Sequence, residues 1–161
     1  PILGICLGMQ LMVIEFARNV FNLKDANSTE FYEDTPHPVV NMMEEQKKIM
    51  NLGGTMRLGA QRMEVLKGTK LYSIYGEDAV HERHRHRYEA DTENYGFMYK
   101  LPGEEGYKLT ISGRAEFLEA VELDNHPFFV GVQYHPEFKS KVGAPHPIFL
   151  SLIKAIEEVN R

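Results

Sequence analysis

The chain opens Pro1-Ile2-Leu3-Gly4-Ile5-Cys6-Leu7-Gly8, and the run MQLMVIEFARNVF carries it on to Phe21. The fold follows from how these residues are read. Pro1 to Ile5 is apolar and closes on a glycine, as the end of a buried strand does. From Met9 to Phe21, Leu11, Ile14, Ala17 and Phe21 recur at roughly helical spacing, with Glu15, Arg18 and Asn22 between them. A strand that passes into a helix through Gly-x-Cys-x-Gly has the form of a nucleophile elbow with cysteine in the serine position. Gly4 and Gly8 clear side chains from a tight bend, and the bend lifts the sulfur toward a cleft. The helix N-terminus is expected to lower the thiol pKa and favour the thiolate, and the Leu7 N–H faces a developing oxyanion. Cys6 can equally be a small buried hydrophobe, because free cysteine is among the most buried residue types. Taken alone, the motif leaves both readings open.

Downstream, Lys24 to Pro38 is a polar loop and Pro38-Val39-Val40 begins a short apolar piece. Asn41 to Asn51 reads as a charged loop or short helix. Residues 53–75 open on Gly53-Gly54, and the alternation of Met56, Leu58 and Ala60 with Arg57, Gly59 and Gln61 predicts strand. Further strands are predicted at Glu82 to Glu89, Lys108 to Ser112, Leu118 to Leu123 and Phe128 to Tyr134. The last is mostly apolar and so buried on both faces. Ile148, Leu152, Ile156 and Val159 line one face of a closing helix. This order predicts an α/β sandwich with a parallel core sheet and antiparallel additions.

The 161 residues suit one domain, read here as residues 1–161. At 43% hydrophobic and 25% charged the composition is that of an ordinary soluble globular chain. A net charge of −5 argues against nucleic-acid binding, which needs a basic face. The single cysteine excludes an internal disulfide and points to a reducing, cytoplasmic compartment. Pro1 to Ile14 is too short for a membrane span, and no basic segment precedes it as in a signal peptide. Because the chain starts at Pro1, inside a strand and without methionine, it is expected to be a fragment, incomplete at its N-terminal side.

A cysteine nucleophile needs a base. His37, His126 and His146 lie beside prolines in loops and read as solvated. His135 follows the buried strand FFVGVQY directly, at a strand end where α/β folds place their sites. Pro136 favours an extended backbone, which would put His135 and Glu137 on one side, close enough for the carboxylate to orient the imidazole. Cys6, His135 and Glu137 then supply nucleophile, base and orienter. In ERHRHRYE (Glu82 to Glu89) the three arginines share one strand face and His84 and His86 the other. Three guanidinium groups attract an anion and match a carboxylate bidentately; the plainer reading is a charged strand edge paired with acidic neighbours. A metal site from His81, His84 and His86 is not expected, since the arginines repel a cation. A nucleic-acid patch would lack interleaved aromatic residues.

GICLGMQ, YHPEF and the order Cys, His, Glu resemble the class I (triad) glutamine amidotransferase domain, a flavodoxin-like three-layer sandwich. DANSTEF, HPVV, GGTMRLGA, ERHRHRYE and NHPFFVGVQYHPEF are similar to the CTP synthases within that family, and the resemblance runs to about residue 139. It implies that Cys6 attacks the side-chain amide of glutamine to form a thioester. His135 would protonate the leaving ammonia and activate water, and Glu137 would orient His135. It further implies that Leu7, Gly8, Met9, Gln10, Glu30 and Arg87 bind glutamine, Arg87 taking the α-carboxylate and Glu30 the α-ammonium. Arg57 and Leu58 would lie near the domain interface where GTP, the activator, acts. No cofactor is implied in this domain. ATP, Mg2+ and UTP belong to an amidoligase domain that receives the ammonia, absent from these residues. That domain also builds the family's homotetramer, so this piece is expected to be a monomer. An upstream strand and glycine loop that supply a second oxyanion donor are also missing, which puts the activity of the bare segment in question. Another triad amidotransferase, a γ-glutamyl hydrolase or a non-catalytic module are the alternatives.

Overall fold

A computed structural model describes residues 1–42 and 56–161. The Gly53-Gly54 pair, and all of the charged stretch to Asn51 beyond Asn41 and Met42, lie outside them. The elements run β1 (Ile2–Ile5), α1 (Leu7–Asn19), β2 (Asn27–Ser28), β3 (Pro38–Asn41), β4 (Arg57–Val65), α2 (Lys70–Tyr75), β5 (Ala79–His86), β6 (Glu89–Ala90), β7 (Tyr99–Lys100), β8 (Leu109–Arg114), β9 (Leu118–Glu122), β10 (Phe129–Val132) and α3 (Pro147–Val159). The seven-stranded main sheet has the order β1-β10-β9-β8-β4-β5, with β7 beside β8; β2, β3 and β6 form a second, small sheet. Among the described residues no helix is long and apolar enough to cross a membrane.

The α/β class stands, but the sheet is mixed rather than mostly parallel. β1 with β10 and β7 with β8 are parallel, while β10–β9, β9–β8, β8–β4 and β4–β5 are antiparallel. The connections explain this. β8 reaches β9 through Ala115–Phe117 alone, which suits a hairpin and is far too short for the crossover a parallel pair needs.

Each face of the sheet carries its own core, giving three layers. Met9, Val13, Phe16 and Ala17 of α1 pack with Leu109, Leu118 and Val121. On the other face Leu71 of α2 and Ile148 and Ala155 of α3 pack with Met63, Val65, Val130 and Val132. The alternation along β10 fits: Val130 and Val132 face α3, and Gly131 faces α1 between them. A Cβ on Gly131 would lie 2.9 Å from Met9 Cγ, and one on Gly4 would lie 2.8 Å from the Gly8 backbone. These two glycines let α1 sit directly on β1 and β10.

Four predicted elements differ. Residues 70–75 form a helix, because the Thr69 hydroxyl accepts the Tyr72 N–H at 3.0 Å and Gly76 ends the turn at φ 69°. The strand predicted over Glu82 to Glu89 is broken at Arg87-Tyr88 into β5 and β6. On α3 burial stops at Ala155, so Ile156 and Val159 are exposed (37% and 54%). β1 is an edge strand among the described residues, with Ile2 exposed, rather than a buried one.

Gly4→Ala tests the close approach of helix to sheet. Its Cβ meets backbone, which cannot swing away, so a loss of about 1–3 kcal/mol is expected in urea unfolding. Gly8→Ala, whose Cβ meets nothing within 4 Å, should cost much less.

Candidate active site

Cys6 is the last residue before α1 and adopts φ 51°, ψ −104°. A non-glycine residue at such angles stores roughly 1–3 kcal/mol of strain and needs neighbours that hold it there. The Cys6 N–H donates to Val132 O at 2.7 Å, and Cys6 O accepts the Gln10 N–H at 3.2 Å. The bend is therefore tied at once to the sheet and to the first helical turn. Burial pushes the Cys6 thiol up; the Leu7 N–H opposes it, the charge of Glu137 adds to the rise, and the Gln133 amide opposes it. The expected net lowering by the helix end is thus reversed, because desolvation of the anion outweighs a single turn of backbone N–H groups.

A cavity of about 320 Å3 opens on Cys6, and Leu7, Gln10, Glu30, His86 and Arg87 line it. Five of the candidate residues are thereby brought to one space, with a carboxylate and a guanidinium in its wall. Gln10 Nε2 donates to Tyr88 O at 2.9 Å and to Gln133 Oε1 at 3.2 Å, so both amide hydrogens are used and only Oε1 remains for a ligand. Gly8 and Met9 are not in the wall. The Met9 side chain is fully buried against Gly131, which leaves those residues only their backbone to offer.

His135 lies just past β10. Because Ile5 pairs with Val132 in a parallel ladder, the residues following each strand leave the sheet at the same end. His135 N–H donates to Arg83 O at 2.8 Å, its ring stacks on Phe138 with centroids 4.8 Å apart, and Nδ1 is 2.6 Å from Glu137 Oε1. The backbone is not extended there as expected. Pro136 starts a 3-10 turn over Pro136–Phe138, its missing N–H being no loss at a helix start, and the turn curls Glu137 back onto His135. An ionised carboxylate only accepts, so the proton sits on Nδ1, and Nε2 keeps its lone pair, buried and without a partner among the described residues.

Buried charge supports this end of the sheet. Arg57 bonds Glu89 at 3.1 Å and Glu119 at 2.6 Å and also meets Gln61; His84 Nε2 reaches Glu119 at 2.7 Å. The Glu82 carboxylate, fully buried, receives Tyr75 Oη at 3.0 Å, Lys139 Nζ at 2.9 Å and His146 Nε2 at 3.1 Å. Lys139 directly follows the turn that carries His135 and Glu137 and ties it to β5, while His146 ties the start of α3 to the same carboxylate. His146 is thus a buried cap of α3 rather than a solvated loop residue. On β5 Arg83, Arg85 and the following Arg87 are exposed and His84 and His86 buried, as the alternation predicted. His81 faces outward, so the three histidines do not converge on a metal. Leu58 is exposed, whereas Arg57 turns inward to its carboxylates. Sequence reasoning missed Glu82, Glu119 and Gln133. Only Gln133 carried a signal, as a polar residue inside a strand predicted to be buried on both faces.

Fold and site together define an α/β protein with a strained cysteine at a strand-to-helix bend, opening on a polar cavity. The family model for glutamine amidotransferase class-I matches residues 1–155, and the chain belongs to that family. It is 71% identical over 156 residues to CTP synthase of Thermosipho africanus, and 68% identical over 158 residues to CTP synthase of Thermotoga maritima. These alignments take in 96% and 98% of this chain but 30% of each relative, so the chain spans under a third of their length. Among solved structures, the Trypanosoma brucei CTPS glutaminase domain with bound acivicin superposes with a TM-score of 0.85 at 37% identity, over 98% of this chain and 60% of that one.

His86 gives the network a pH signature. Burial, and then the charge of Arg57, push it down to about 3 from 6.5. Between those values the unfolded chain binds a proton that the folded chain refuses, so stability falls as pH falls. In urea unfolding across that range, His86→Gln should lose this share of the slope, at most about 1.4 kcal/mol per pH unit.

Proposed function

We propose that the chain hydrolyses the side-chain amide of glutamine on Cys6 and, as the glutaminase part of a CTP synthase, passes the ammonia to an amidoligase domain. The observation that carries this is the joining of Cys6, Glu30 and Arg87 in one cavity, with Glu137, bonded to His135, near enough for its charge to act on Cys6. A free amino acid presents a carboxylate and an ammonium at one end. Arg87 and Glu30 match them and direct the side-chain amide to the sulfur. The thiol proton passes to His135 Nε2 as sulfur bonds to the amide carbon. The oxyanion collapses, the C–N bond breaks, and His135 returns the proton so that ammonia leaves. His135 then takes a proton from water, the hydroxide attacks the thioester, and the C–S bond breaks to give glutamate and the free thiol. Glu137 holds the ring tautomer and the imidazolium throughout. The Leu7 N–H is the oxyanion donor these residues supply.

In the larger protein ATP, Mg2+ and UTP bind the amidoligase domain, outside these residues, and the whole assembles as a homotetramer in the cytoplasm. GTP acts on the outward face of β4 and β5. There an open groove of about 780 Å3 joins exposed Leu58 and Phe138 to Arg83 and Arg85, apolar surface for a base and guanidinium groups for phosphates. Arg57, already held by two carboxylates, supports this face from beneath rather than binding the nucleotide.

Acivicin, a glutamine-like electrophile, should label Cys6 in the intact protein, as located by mass spectrometry. Ammonia release from glutamine should vanish in Cys6→Ala and fall at least about a hundredfold in His135→Ala. Release at the wild-type rate from Cys6→Ala would overturn the proposal.

A further inference from the structure

Gln133 stands between β10 and His135, fully buried, and its amide spans two partners. Oε1 is 3.2 Å from Gln10 Nε2, and Nε2 is 3.7 Å from Cys6 Sγ. A side-chain amide has nearly the same shape either way round, so distance alone does not say which end meets the sulfur. Hydrogen-bond polarity does. Gln10 also contacts Tyr88 O at 2.9 Å, and a backbone carbonyl only accepts, so that end of Gln10 is its NH2. The end of Gln133 that meets the same nitrogen must accept and is therefore Oε1. Its NH2 is then left for Cys6. Reading outward from Tyr88, one carbonyl fixes two amides, and the second presents an N–H to the sulfur.

We propose that Gln133 is a positioning residue for Cys6: a donor locked in orientation by Gln10 and the Tyr88 carbonyl, stabilising the thiolate relative to the thiol. A thiol sulfur is a weak acceptor and a thiolate a strong one, so the bond gains most when charge is present. For the glutaminase reaction on which this consequence rests, the donor acts twice. It supports the attacking thiolate, and it supports the thiolate that departs when the thioester C–S bond breaks and its electron pair returns to sulfur.

The test is the rate of iodoacetamide alkylation of Cys6 in the intact protein as a function of pH, followed by mass spectrometry of the Cys6 peptide. Gln133→Met keeps the length and loses the donor. Its midpoint should rise by about one pH unit, with alkylation about tenfold slower below the midpoint. Gln10→Met leaves Gln133 in place but unlocks its amide, so its midpoint should rise as well, and this variant decides the matter if Gln133→Met fails to fold. An unchanged midpoint in a folded Gln133→Met, or in Gln10→Met where that variant decides, overturns the relay. Alkylation involves no glutamine, so the two proposals fail separately. A raised midpoint in a protein that never releases ammonia sinks the glutaminase reading alone. An unchanged midpoint in one that does sinks only the relay.

Discussion

The parallel pairing of β1 with β10 is the constraint on which the other features of the site depend. With Ile5 opposite Val132, the chain leaves both strands at the same end, and the Cys6 N–H completes the ladder onto Val132 O. Run antiparallel, two four-residue strands would place the same exits about 13 Å apart, and no side chain of cysteine or histidine would close that gap. The pairing also stacks Gly4 beside Gly131, and together they admit α1 to the sheet. The N-terminal turn of α1 is thereby brought over the strand ends. The positions of Cys6, of the His135–Glu137 pair and of the helix follow from one register.

The site is underlain by charge that a core would ordinarily avoid. Glu82, Glu89 and Glu119 are fully buried, and Arg57, His84, Lys139 and His146 answer them. Replacing such a set with apolar residues is often neutral or stabilising, whereas removing one member costs about 3–5 kcal/mol. Its value here is geometric. The Glu82 group ties β5 to Lys139, just past the His135 turn, and to the start of α3, and the Arg57 group ties β4 to β9. One of these carboxylates, Glu89, bears on the thiol and, with Glu137 at the site's edge, pushes it up. A cysteine so surrounded is shifted toward its thiol form.

How far these features could be read from residues alone depends on how local their causes are. The elbow was legible because Gly4, Cys6 and Gly8 lie within five positions, and the arginine and histidine faces of β5 because strand alternation needs no partner. The dyad was legible in membership but not in shape: Pro136 restricts its own backbone in extended and 3-10 forms alike, and only the contact with Glu137 decides between them. α2 was hidden because Lys70–Tyr75 is one short turn and a half, held by Thr69, Gly76 and the Glu122 carboxylate on its first N–H groups. The buried ion groups were invisible for a simpler reason. Arg57 and Glu119, or Glu82 and His146, are joined only by the fold, and each alone reads as a surface residue.

The break between β5 and β6 shows how a departure from regular structure becomes useful. Had the strand run unbroken from Glu82 to Glu89, Arg87 and Tyr88 would have stayed within the regular strand. Ending β5 at His86 frees both residues. Arg87 enters the wall of the cavity, and Tyr88 O turns to accept from Gln10 Nε2 and from His86 Nδ1, at 2.9 Å and 3.3 Å. That carbonyl therefore sets two polarities at once. It holds the proton of His86 on Nδ1, and it fixes the direction of the Gln10–Gln133 chain that ends at Cys6. A carbonyl cannot invert, unlike an amide or an imidazole, so the two adjustable side chains beside Cys6 take their orientation from a group that has none to lose.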